Sequence, residues 1–159
     1  MPLHANAQRI QDLLIERGFP LDVIEMPGST RTAGDAAAAC GCTLAQIGKS
    51  LVFRAKPSNR PVLVVASGVN RVDEKKIASA LRESIVRADP EFVRASTGFA
   101  VGGVPPIGHA VAPVVYLDAE LMALERIWCA AGTPRAVFAL TPQDLRTLTG
   151  GMVLDVKQT

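Results

Sequence analysis

Aromatic residues are scarce in this 159-residue chain, one Trp, one Tyr and five Phe making up 4% of it. Proteins that hold extended single strands of nucleic acid stack successive bases on aromatic rings, so that mode of binding is disfavoured and no DNA partner is expected. The core has to be built from Val, Leu, Ile and Ala instead. Cysteine is sparse too: Cys40, Cys42 and Cys129 are an odd count, with no second Cys/His pair at zinc spacing. That pattern suits reduced thiols and calls for no metal or other cofactor. No apolar run approaches membrane-spanning length, and Met1-Pro2-Leu3-His4-Ala5-Asn6 has no basic segment ahead of an apolar stretch. The expectation is a cytoplasmic protein that engages no membrane. No G-x-S-x-G elbow and no Ser-His-Asp arrangement can be picked out, which leaves serine-hydrolase chemistry unsupported.

What is present is a chain of single-domain length with 48% hydrophobic residues. Ala7, Ile10, Leu13 and Leu14 form one stripe over residues 3–17, an amphipathic helix stopped at Gly18. A short strand over 21–26 follows. Thr32-Ala33-Gly34-Asp35 has capping-box spacing for an alanine-rich helix ending near Gly41. Residues 49–56 and 62–66, parted by Pro57-Ser58-Asn59-Arg60-Pro61, read as a hairpin. Asp73 is placed to cap a helix reaching Leu81, and Asp89-Pro90 is an N-cap and N1 pair. Strands are expected over 112–117, 127–131, 136–140 and 152–154, with helices starting at Asp118 and at Thr141-Pro142. The mixture predicts a single compact α/β domain, spanning 1–159, with helices packed around a curved mixed sheet.

Charge is small in sum, +2, but uneven. Residues 49–94 hold ten Lys and Arg against five Asp and Glu, net +5, and the remainder carries −3. A basic middle on a near-neutral chain suits an anionic partner touched locally, such as one end of an RNA. Glycine and proline crowd into Thr97–His109, where Gly102, Gly103 and Gly108 permit positive φ and Pro105 and Pro106 stiffen the chain. No regular element tolerates that density, so this is a shaped loop able to present main-chain carbonyls and amides to a ligand. Gly48-Lys49-Ser50 has the look of a P-loop tail, but Thr43 stands where its first glycine belongs and a strand, not a helix, follows Lys49.

Thr30-Arg31-Thr32-Ala33, Gly48-Lys49-Ser50-Leu51-Val52-Phe53, Gly68, Val72-Asp73, Thr97-Gly98-Phe99 and the stretch Gly102 to His109 together resemble the YbaK/prolyl-tRNA synthetase-associated domain family. The likeness runs over most of the chain. It implies the compact mixed-sheet fold and a free-standing enzyme that hydrolyses, in trans, the ester of mischarged aminoacyl-tRNA. Lys49 takes the central catalytic role by this resemblance. Thr30, Thr32, Gly68, Gly102, Gly103, Val104, Pro105, Pro106, Gly108 and His109 become the expected substrate-binding set, with the Gly102–Gly108 loop reading the amino acid. The partners expected are the acceptor end of mischarged tRNA and an aminoacyl-tRNA synthetase. The Val104-Pro105-Pro106-Ile107-Gly108-His109 segment departs from the forms associated with alanine- and cysteine-specific members, so neither specificity carries over. A non-catalytic tRNA- or synthetase-binding module, or a binder of a free amino acid, would use the same residues without turnover.

Overall fold

The computed structural model describes residues 2–159. The chain runs through α1 (Ala5–Glu16), β1 (Val23–Glu25), α2 (Ala33–Cys40), β2 (Ile47–Lys56), β3 (Pro61–Ser67), α3 (Glu74–Leu81), β4 (Ser84–Arg87), α4 (Pro90–Thr97), β5 (Val114–Asp118), β6 (Ile127–Ala130), β7 (Ala136–Leu140), α5 (Pro142–Thr149) and β8 (Met152–Leu154). The strands make one mixed sheet in the order β1-β7-β6-β2-β3-β5-β8, with β4 added to β2. Together with the five helices it forms the single α/β unit that the element pattern predicts. Among the described residues no helix is long and apolar enough to cross a membrane.

Local chemistry explains the helix boundaries. The hydroxyl of Thr32 accepts from Asp35 N–H at 3.1 Å, Asp73 from Lys75 N–H at 3.0 Å, Asp89 from Phe92 N–H at 2.8 Å and Thr141 from Asp144 N–H at 3.1 Å. Each satisfies a donor that the first helical turn would leave without a partner. β3 is buried along all seven residues, as expected of a central strand covered on both faces. One face packs Leu63 and Val65 with Ile10 and Leu14 of α1, Val93 of α4 and Leu145 of α5. The other packs Val62, Val64 and Ala66 with Phe53, Tyr116 and Ile77 of α3.

One expectation needs correction, and one strand, β4, lies outside those expected. Asp118 starts no α-helix: it is the last residue of β5, and only a single 3₁₀ turn, Leu121–Ala123, follows. One of its carboxylate oxygens binds across the sheet to the Ser67 N–H and Asn70, and the other accepts from the Glu120 N–H two residues on. β4 carried too weak a pattern to be read, since Ser84-Ile85-Val86-Arg87 buries only Ile85; it exists because the outer edge of β2 is open to pair with it.

Candidate active site at the fork of the sheet

One edge of β2 pairs continuously with β3, from Gly48 to Arg54. The other is shared between two strands that do not meet. β6 pairs with Ile47 and Gly48, and β4 begins only at Phe53. The sheet therefore forks beside residues 49–52. Hydrogen bonding alternates along an antiparallel strand, and Ile47 and Ala55 bond toward β3 while Val52 bonds outward to Ala88. By that alternation the N–H and C=O of Ser50 point into the fork, where no strand takes them up.

A cavity of about 390 Å³ occupies the fork. Lys49, Ser50 and Leu51 of β2 line it, with Thr30, Arg31 and Thr32 ahead of α2, Val101, Gly102 and Val104 of the glycine-proline loop, and Trp128 of β6. Distant stretches of sequence thus meet there. Gly102 has φ +94°, and a Cβ on it would sit 2.5 Å from Cγ of Arg31, so only glycine lets the loop lie against that side chain. The hydroxyl oxygens of Thr30 and Ser50 are buried without a hydrogen-bond partner.

Lys49 also borders a second hollow of about 380 Å³ with Gly68, Asn70, Arg71, Glu74 and Arg87. Burial, and next the charge of Arg71, push its amine below the ordinary 10.5; Asp118 opposes this and Arg87 adds to it. Lys49, Arg71 and Arg87 form no salt bridge among the described residues. Three cations with no ion-pair partner at one opening make a site for an anion.

The remaining expected residues lie elsewhere. Gly103 is buried, and a Cβ there would meet the Thr133 backbone at 2.8 Å. Pro105 and Pro106 are buried, and a Cβ on Gly108 would meet Ile10 and Leu13 of α1. None of these lines the cavity with Lys49. They back the loop, pressing it onto α1 and the β6–β7 turn. His109 belongs with them: its Nε2 donates to the Pro105 carbonyl at 2.6 Å, and burial pushes its pKa below 6.5. It is a neutral tether that closes the loop on itself. Gly68 lines the second hollow only, its close contact being the Leu44 carbonyl, 2.4 Å from where a Cβ would stand. Thr32 lines the cavity while spending its hydroxyl on the α2 cap.

Arg31, Ser50, Arg71, Arg87 and Trp128 were not among the expected site residues. The clustered charge of residues 49–94 was the available signal for Arg71 and Arg87; nothing local marked Trp128. The thiols contribute little nucleophilicity. Cys129 is pushed up to about 12 and Cys40 to about 11 by burial, and Cys42 is raised as well.

Comparison with known proteins adds a family. A family model for an aminoacyl-tRNA editing domain matches residues 28–148. The uncharacterized protein YwhH of Bacillus subtilis (strain 168) is 36% identical over 124 residues, 78% of each chain. A solved structure named "putative trans-editing enzyme for prolyl tRNA synthetase" is 45% identical, covers 99% of this chain and 100% of its own, and superposes with a TM-score of 0.93. The hypothetical protein APE2540 superposes at 0.88 with 26% identity, over 94% of this chain and 99% of its own.

Proposed function

Since this chain belongs to the aminoacyl-tRNA editing domain family, we propose that it is a trans-acting deacylase, hydrolysing the ester that joins a small, wrongly matched amino acid to tRNA. The observation that carries the reading is the shared cavity of Lys49 and Gly102, an amine and a glycine loop gathered at a fork where a strand exposes its own main-chain groups.

An aminoacyl ester needs positioning, a held water and charge stabilisation more than a strong nucleophile. In the proposed reaction water adds to the ester carbonyl, the C–O bond to the ribose breaks, and the ribose oxygen takes a proton. Free amino acid and deacylated tRNA leave. Lys49, with Arg71 and Arg87 beside it, supplies positive charge for the terminal RNA phosphate and for the oxyanion that develops on the carbonyl. Main-chain groups at Ser50 and around Gly102 are the donors and acceptors for the amino-acid end. The walls at Thr30, Val104 and Trp128 limit the side chain admitted, so a cognate residue that is too large is spared by exclusion. The partner is the acceptor end of mischarged tRNA, delivered by or in company with a synthetase.

The test is a panel of tRNAs mischarged with alanine, serine, threonine or cysteine. Release of amino acid by the native protein is expected from at least one member, with a loss of at least about a hundredfold in Lys49→Ala, the scale of one preorganised charge or donor. Tight binding without release would make the protein a binding module, and indifference to the RNA would leave a free amino acid as its ligand.

A further inference from the structure

Asp118 is 1% exposed and belongs to neither wall of the cavity. Its Oδ2 accepts from the Ser67 N–H at 3.0 Å and from Asn70 Nδ2 at 2.8 Å, and its Oδ1 accepts from the Glu120 N–H at 2.9 Å. All three donors are neutral. A buried carboxylate is costly to hold unless it is hydrogen-bonded; this one is held by three neutral donors and makes no salt bridge among the described residues, its charge being felt by Lys49 and by Lys157.

The segment it grips is the turn that leaves β3. Asn70 N–H donates to Ser67 O at 2.9 Å, Gly68 N–H to Ile47 O at 2.8 Å, and Ser67 Oγ to Ala45 O at 2.7 Å. One side of the turn is thereby fastened to the start of β2 and the residues just ahead of it, and Asp118 fastens the other side to β5. The turn leads directly into Arg71, which borders the same hollow as Lys49. The charges around Lys49 come from every neighbouring element: Arg31 from the stretch ahead of α2, Arg71 from this turn, Arg87 from β4, Glu74 from the start of α3 and Asp118 from β5. Arg71, Arg87 and Glu74 are exposed, and Asp118 is the buried member of the group.

We infer that Asp118 is a positioning residue for Lys49: from β5, on the far side of β3 from the lysine, its carboxylate clamps the Ser67–Arg71 turn and supplies a shielded negative charge against the positive charges of Arg71 and Arg87. This rests on the proposed reading of Lys49 as the amine that meets the substrate. A screened surface acid such as Glu74 offers little of this, because water and salt damp its field, whereas a buried charge acts through a medium of low dielectric. The direction of its influence on Lys49 agrees, keeping the ammonium form against burial and two guanidinium groups.

Two variants of the full chain have opposite expected signs. Asp118→Asn removes the charge and turns an amide nitrogen toward a donor. Asn70→Ala keeps the charge and takes away one of the neutral donors that damp it, an amide that also donates to Glu120 Oε1 at 3.0 Å. The readout is acetylation of Lys49 by an N-hydroxysuccinimide ester between pH 7 and 10, quantified by mass spectrometry with exposed Lys75 as internal reference. Only the neutral amine reacts. Asp118→Asn should label Lys49 about threefold faster near pH 8, the effect of roughly half a pKa unit, and Asn70→Ala should label it more slowly than the native protein. A folded Asp118→Asn with an unchanged Lys49 profile, as a purely structural role requires, overturns the inference. If Asp118→Asn does not fold, Asn70→Ala decides alone: slower labelling supports the inference, and unchanged or faster labelling overturns it. Should the labelling follow these signs while no mischarged tRNA is hydrolysed, the clamp stands and the proposed reaction is what fails.

Discussion

His109 shows how one side chain serves a site without entering it. Nε2 donates to the Pro105 carbonyl and so closes the Pro105–His109 bend, while burial favours the neutral ring. Burial lowers its pKa below 6.5, and the bond to Pro105 only partly opposes that. The unfolded chain therefore binds a proton near pH 6.5 that the folded chain refuses until lower pH. Stability from this group is complete above about 6.5 and declines as the pH falls through that value toward the folded one. Thermal midpoints measured from pH 8 to pH 5 should fall more in the native protein than in His109→Gln. Equal slopes would show that the ring does not titrate as its burial requires.

At the scale of elements, the glycine-proline loop is aimed by α4. That helix is only eight residues long and starts from Asp89, whose side chain accepts from the Phe92 N–H at 2.8 Å, with Pro90 at its first position. It ends at Gly98 with φ +85°. Just inside that end, the Thr97 hydroxyl donates to Val93 O at 2.7 Å and accepts from the Phe99 N–H at 3.0 Å, turning the chain into the loop. A helix this short depends on its cap. Asp89→Ala should cost about 1 kcal/mol, read as a lower urea midpoint at unchanged m-value. Both ends of α4 were legible because capping residues act on their own neighbours. β4 was not, because its partner edge lies some thirty residues away along the chain.

The whole molecule gathers charge that the sequence strings out. Lys49 on β2, Arg71 after β3 and Arg87 on β4 come to one hollow because β4 pairs back onto β2 and the turn after β3 is pinned beside it. Each cation that neutralises a phosphate releases counterions on binding RNA, so affinity falls with salt in proportion to the number engaged. Arg71→Gln should weaken binding to deacylated tRNA and reduce the slope of log affinity against log salt by about 1. An Arg60→Gln control should leave that slope alone, since Arg60 is engaged with Glu83 at 2.6 Å. Equal slopes for native and Arg71→Gln proteins would place the RNA elsewhere on the surface.

The amino-acid order by itself determined the helix caps at Thr32, Asp73, Asp89 and Thr141, the β2–β3 hairpin and the rigid character of the loop. These follow from interactions between near neighbours, or from residue types whose backbone preferences hold in any fold. Tertiary structure alone decided which part of the loop meets Lys49. Gly102 and Val104 line the cavity, whereas Pro105, Pro106, Gly108 and His109 support it from behind. It also decided that Asp118 faces β3 and the turn beyond it instead of capping a helix. Those outcomes depend on which strands pair and where the sheet forks, and pairing between distant segments is set by burial summed over the entire core.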